Sequence, residues 1–103
     1  MRLAEFGRFA NPSLLILASL ADGPKHGYAM MMDIQTVADV RLGPGTLYGA
    51  LARLEDSGLI RALAAEDRRR PYQLTAKGAA ILREQLTLLH RLASTGLRRL
   101  AVR

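Results

Sequence analysis

At 103 residues the chain is the size of one domain with a modest core, and it holds no cysteine, which excludes disulfides, thiolate metal sites and cysteine nucleophiles together. Half of the residues are hydrophobic, yet only 5% are aromatic and tryptophan is absent, so the core is expected from Leu, Ala, Ile and Met, the filling of packed helices. Fifteen Lys and Arg against nine Asp and Glu leave a net charge of +6, which selects polyanionic partners, nucleic acid first and an anionic membrane surface second.

The chain opens with Arg2 and Arg8 ahead of the apolar run Leu14-Leu15-Ile16-Leu17-Ala18, an outline that imitates a secretory leader. Glu5 and the helix-starting pair Asn11-Pro12 fit that outline poorly, so export is not expected. No apolar run approaches the ~20 residues that span a bilayer, and with cysteine absent a soluble, cytoplasmic protein is expected.

Asn11 is a good N-cap and Pro12 suits the first helical position, so a first helix is expected, with Leu14, Leu15, Leu17 and Leu20 on its apolar face and Gly23-Pro24 at its end. A second helical pattern runs from about His26 to Ala38, with Tyr28, Met31, Met32, Ile34 and Val37 available to cover a buried side. Val40-Arg41-Leu42 is too short for more than an edge strand or connector. Gly43-Pro44 then opens a third helix with Leu47, Leu51 and Leu54 on one stripe, and Gly58 stops it.

Two short stretches, Leu59 to Ala64 and Arg70 to Thr75, flank the charged turn Glu66-Asp67-Arg68-Arg69 and are expected to pair as a β-hairpin. Pro71 favours an edge position in it. Thr75 can cap a long fourth helix, whose apolar positions include Ile81, Leu82, Leu86, Leu88, Leu89, Leu92 and Ala93; Ser94-Thr95-Gly96 is a place where it could end or bend. This order of elements predicts a mainly α fold with a small β-hairpin. It is a winged helix-turn-helix over residues 1–75 followed by a C-terminal dimerisation helix over 76–103, in one compact unit.

The leucine stripe of the third helix fixes which side faces the core and leaves Thr46, Tyr48, Gly49, Ala52 and Arg53 on other sides, where they can meet a major groove. The free amides of Gly45 and Thr46 can hold a phosphate with help from the helix dipole, and the Tyr48 hydroxyl adds a donor. Arg53 can chelate a guanine or meet a phosphate, and sequence does not separate these roles. Arg68, Arg69 and Arg70 at a hairpin tip repel one another unless solvated or set against anions, and their natural target is a minor groove or its flanking phosphates. Either feature alone is also met in an ordinary amphipathic helix or a solvated loop; their succession in one chain favours DNA. Lys25, Arg41 and Pro44 complete the surface assigned to DNA.

The apolar positions of the fourth helix cover more of its circumference than docking on one domain requires. A second buried face is therefore expected, in which Leu82, Leu86, Leu89, Leu92, Ala93 and Leu97 of two copies form an isologous homodimer and space two reading helices one DNA turn apart. Enzyme chemistry is not expected. His26 and His90 stand in no metal-ligand or nucleophile-base spacing, Gly43-Pro44-Gly45 lacks the Lys-Ser/Thr of a phosphate-binding loop, and the side chains of Glu55-Asp56 diverge on a helix. No cofactor is assigned.

The strings Gly23-Pro24-Lys25-His26-Gly27-Tyr28, Pro44-Gly45-Thr46-Leu47-Tyr48 with Leu51, Arg53, Leu54 and Glu55, and Gly58-Leu59-Ile60 resemble the PadR signature. Arg68-Arg69-Arg70-Pro71-Tyr72-Gln73-Leu74-Thr75-Ala76-Lys77-Gly78 extends the resemblance, which covers the chain from about Leu14 to Leu92. It implies a dimeric winged-helix repressor of the short subfamily that leaves its operator when a small molecule or other cue arrives. Matched by position, Thr46 and Tyr48 would contact the DNA backbone, Arg53 would lie on the recognition helix, Arg68 to Arg70 would form the wing, and His26-Gly27-Tyr28 would start the second helix. Gly43 stands where the family often has Ser, and Pro71 where a basic or aromatic residue is common. Multidrug-sensing relatives stack planar ligands on a Trp that this chain lacks.

The expected partners are thus double-stranded operator DNA, a second copy of the chain and a small-molecule effector of unknown identity, with no membrane, in the cytoplasm at the nucleoid. Met30, Met31 and Met32 near Tyr28 can border an effector pocket, although core packing is the commoner role of methionine. The alternative is a winged-helix adaptor that binds protein and no DNA.

Overall fold

The computed structural model describes residues 11–102; the leader-like features at Arg2, Glu5 and Arg8 lie outside them. Helix α1 (Pro12–Ser19) starts where Asn11 accepts a 2.9 Å bond from the Ser13 amide, with Pro12 in the first turn. It passes into a 3-10 turn (Leu20–Asp22) and stops at Gly23, whose φ of 143° is open only to glycine at no cost. The short strand β1 (Lys25–His26) follows, then helix α2 (Gly27–Ala38), which ends on Asp39 in the left-handed conformation. Residues 39–43 form a connector without strand structure and lead into helix α3 (Pro44–Asp56), which is terminated beyond Ser57 by Gly58 at φ 76°.

The hairpin consists of β2 (Ile60–Ala62) and β3 (Pro71–Leu74), each shorter than its sequence pattern, in register Ile60 to Leu74 and Ala62 to Tyr72. Sequence reasoning missed β1, which pairs with β3 and makes a three-stranded antiparallel sheet of order β1-β3-β2. Pro71 therefore begins the central strand and not an edge. It is tolerated because the first residue of a strand can lack one ladder donor, and its carbonyl still accepts from the Leu63 amide at 2.8 Å. Helix α4 (Ala76–Ala101) runs through Ser94-Thr95-Gly96 without a break. At 1.5 Å per residue its 26 residues span about 39 Å and dominate the long axis of the molecule.

The core gathers Ile16, Leu17 and Leu20 of α1 and its 3-10 turn, Met30 and Ile34 of α2, Leu47, Ala50, Leu51 and Leu54 of α3, Ile60 of β2 and Leu82 of α4. Burying each large side chain contributes about 1.5–3 kcal/mol of transfer free energy. The stripe on α3 is the one read from sequence, with Ala50 added. On α2 the buried face is Gly27, Met30 and Ile34, at spacings of three and four, while Tyr28, Met32 and Val37 face solvent. Their mixed spacing allowed two faces, and the packing of α1 and α3 selects one.

The root of α4 is fastened to the end of α3. The Thr75 hydroxyl accepts from the Gly78 amide (3.1 Å) and donates to the Gly58 carbonyl (2.6 Å), while the Thr75 amide donates to the Leu59 carbonyl (3.1 Å). The Lys77 ammonium donates to the Ser57 carbonyl at 3.0 Å. These bonds satisfy carbonyls that the end of α3 and its following turn leave without helical partners.

Candidate nucleic-acid interface

Helix α3 presents Gly45, Thr46, Tyr48, Ala52 and Arg53 as exposed residues on the side away from Leu47, Leu51 and Leu54. Its N-cap, Gly43, offers no side-chain acceptor, so no side chain caps the amides of the first turn. They are positioned to hold an anion with the positive end of the helix dipole behind them. A β-carbon on Gly27 would lie 2.6 Å from the Tyr48 hydroxyl and 3.2 Å from Leu47. The missing side chain lets the phenol rest on the start of α2 while remaining half exposed. A β-carbon on Gly49 would stand 3.5 Å from the Arg53 guanidinium, an ordinary contact, so the guanidinium does not depend on the glycine for room.

The wing ends in a four-residue turn in which Glu66 and Arg69 exchange both backbone bonds, at 2.7 and 2.8 Å. Asp67 (φ 47°) and Arg68 (φ 66°) both occupy the left-handed region, the signature of a type I′ hairpin turn. Arg68, Arg69 and Arg70 are all exposed. Because β1 and β3 pair, with His26 opposite Pro71, the wing is stitched to the start of α2 and does not hang from the hairpin alone.

One cation lies differently from the sequence assignment. The ammonium of Lys25 is turned inward, donating to the Ser19 carbonyl and the Asp22 carboxylate, where it closes the end of α1. Beside it the buried Ser19 hydroxyl donates to Asp33 Oδ2 at 2.7 Å. Arg61, not singled out beforehand, is exposed on β2 and held by two bonds from its guanidinium to Gln73 Oε1, at 3.1 and 2.9 Å. The alternation of Ile60, Arg61 and Ala62 was the signal that placed it on the outer face. Arg41 sits exposed in the connector before α3.

Lys25 holds the Asp22 carboxyl below the usual aspartate range, first through its hydrogen bond and then through its charge. A depressed folded-state pKa contributes stability that is complete above the ordinary value of about 3.9 and lost as pH falls through the folded value. Asp22→Asn is expected to remove that part of the acid sensitivity. Urea unfolding at neutral and strongly acidic pH should therefore differ less for the variant than for the unaltered protein.

Of the residues assigned to a second interface on α4, Leu82 belongs to the protomer's own core. Leu86, Leu89, Leu92, Ala93 and Leu97 are exposed, Leu86 at 43% and Leu92 at 69%, and Leu100 continues the same stripe at 80%. Contiguous exposed apolar patches are uncommon on monomeric proteins. No helix among the described residues is long and apolar enough to cross a membrane.

A helix-turn-helix whose second helix shows an open polar face, flanked by a basic hairpin and followed by a long helix, defines the class of winged-helix regulators. The chain belongs to the PadR-like transcriptional regulator family, whose model matches residues 16–84. Over 97 residues it is 38% identical to the transcriptional regulator Rv3488 of Mycobacterium tuberculosis, covering 88% of this chain and 86% of that protein. Over 86 residues it is 46% identical to an uncharacterized 37.1 kDa protein in transposon TN4556 of Streptomyces fradiae. That match takes in 84% of this chain but spans only 25% of the length of the relative. The fold matches that of a PadR family transcription regulator from Clostridium difficile R20291 with a TM-score of 0.77 at 23% identity, over 86% of this chain and 97% of the other. The family is one of transcriptional regulators and not of enzymes.

Proposed function

We propose that the protein is a repressor that binds duplex operator DNA sequence-specifically as a homodimer, in the cytoplasm and at the nucleoid. The observation that carries this reading is the coincidence of an uncapped, exposed first turn on α3 with three exposed arginines on a wing fixed to the same reading head. The α3 helices of two copies enter successive major grooves about 34 Å apart, and the wings follow the flanking phosphates. The leucine stripe of α4 beyond Leu82 joins the copies.

Release by a small molecule or another cue follows if the cue alters the separation of the two α3 helices, which a ligand can do only by binding one spacing better than the other. An open groove of about 450 Å³ beside the root of α4, floored by Leu74, Leu82 and Leu86 and edged by Arg83 and His90, has the size and apolar floor of a small-molecule site.

The test is the affinity of the protein for fragments upstream of its own gene, measured by fluorescence anisotropy across salt concentrations. Six to ten phosphate contacts per dimer predict a loss of about three to five decades between 50 and 200 mM salt. Salt-indifferent binding contradicts the reading. Arg53→Ala separates two roles in the same assay. If Arg53 reads a base, one position of the site loses preference, at about 1–3 kcal/mol. If it meets phosphate, all sequences weaken together and the salt slope drops.

A further inference from the structure

His26 stands at the junction of β1 and α2 and has one ring nitrogen on each side of it. Its Nδ1 accepts the Ala29 amide at 3.3 Å and so caps α2. An accepting Nδ1 carries no proton, which places the ring proton of the neutral imidazole on Nε2. That nitrogen lies 3.4 Å from Nη1 of Arg69 in the wing turn. A guanidinium only donates. The two groups therefore face each other as donor and donor, and the contact is no hydrogen bond.

Among the described residues no carboxylate supplies the missing acceptor. Glu66 and Asp67 border the same cleft of about 410 Å³, with Pro71 at its edge. Neither carboxylate is within ion-pair distance of Arg69, since the salt bridge found among the described residues is that of Lys25 with Asp22. Two converging donors, one of them a cation, form the geometry of an oxyanion site. They come from two elements, the start of α2 and the wing, whose relative position the β1-β3 pairing fixes.

We infer that His26 and Arg69 jointly bind one phosphodiester oxygen of the duplex, clamping the backbone between the helix-turn-helix and the wing. This rests on the DNA reading above. His26 is then a binding residue and not merely a cap, and Arg69 differs in role from Arg68 and Arg70 on either side of it.

The test has one arm without DNA and one with it. Nitrogen-15 NMR of the His26 ring in the free protein is expected to report the Nε2–H tautomer. An Nδ1–H ring overturns the inference, because Nε2 would then accept from Arg69 and satisfy it internally. In the binding arm His26→Asn keeps a side chain able to cap α2, as Asn11 caps α1, but shortens the reach toward Arg69. With an unchanged melting midpoint it should weaken duplex binding about three- to tenfold for each protomer, the worth of one hydrogen bond apiece, and leave the salt slope nearly intact because a neutral ring displaces no counterion. Arg69→Gln should weaken binding and lower the slope by about 0.9 for each protomer. The double variant should lose less than the sum of the two, as expected for a shared oxygen.

Unchanged affinity in His26→Asn, or strictly additive losses, overturns the clamp while leaving DNA binding in place. Failure of the unaltered protein to bind any duplex overturns both. Inorganic phosphate is expected to leave the His26 resonances where they are; saturable binding of it in the micromolar range would assign the cleft to a free anion and overturn the assignment to DNA.

Discussion

Gly78→Ala is expected to cost about 3 kcal/mol of folding stability, at the upper end of what one inserted methyl does in a packed site. For a domain of this length that lowers the melting midpoint by roughly 10–20 °C. The expectation runs against helix propensity, by which replacing an interior glycine with alanine gains about 1 kcal/mol. Position matters more here. A β-carbon on Gly78 would stand 2.0 Å from the Leu59 carbonyl oxygen and 2.9 Å from its carbon. Those are backbone atoms in the turn that ends α3, and the same carbonyl accepts the Thr75 amide. Relief requires α4 to lift from that turn, which would pull the Thr75 and Lys77 bonds with it and withdraw Leu82 from the core. Gly96, in the same helix, has nothing within 4 Å of its virtual β-carbon. Calorimetry of Gly78→Ala beside the unaltered protein decides the matter, and an unchanged or raised midpoint would contradict the close packing of α4 on the Leu59 carbonyl.

Replacing Arg68, Arg69 and Arg70 together with Ala is expected to have the largest functional effect. All three are exposed, and none stabilises the fold through an ion pair among the described residues. Folding should therefore change little, and relief of repulsion among adjacent cations could raise stability slightly. If each arginine meets a phosphate, a dimer loses six contacts and the slope of log affinity against log salt flattens by about 5. Affinity at low salt then falls by about three decades or more. An adaptor that binds protein through α4 would keep its partner under the same change. Retention of full duplex affinity by the triple variant would exclude the wing from the interface.

The order of elements was legible because it rests on local chemistry. Asn11-Pro12 and Thr75 act as helix starts, Gly58 as a stop, and Glu66 to Arg69 as a turn, each through its own side chain or backbone freedom. What escaped was long-range. Strand β1 has two residues and no pattern of its own; it exists because β3 offers it an edge, and Pro71 was consequently expected in an edge strand when it begins the central one. The identity of the buried face on α2 depended on where α1 and α3 lie. Gly78 read as part of a family string, while its physical reason, the Leu59 carbonyl, is a contact with a different element. Lys25 could not be told from a DNA contact by its charge, since only the geometry turns it toward Ser19 and Asp22.

Basic residues were found by counting, but which of them are free was not. Structure divides them into Lys25, engaged with Asp22 and the end of α1; Arg61, held by Gln73; and Arg53 with the wing arginines, which no carboxylate among the described residues pairs. That division follows from pairings across the fold that a linear charge pattern does not encode. The exposed leucine stripe of α4 was legible as excess apolar circumference, because a helix needs only one stripe to dock on its own domain.

Sedimentation velocity with a fluorescent duplex carrying the upstream sequence bears most directly on whether two joined copies read DNA. A homodimer seated across two half-sites predicts a single fast-moving complex holding two protein chains per duplex, formed from protein that is already dimeric, and dissolving as salt is raised. A protein that sediments as a single chain through the micromolar range and leaves the duplex at its own velocity would contradict both the paired α4 helices and the basic reading head.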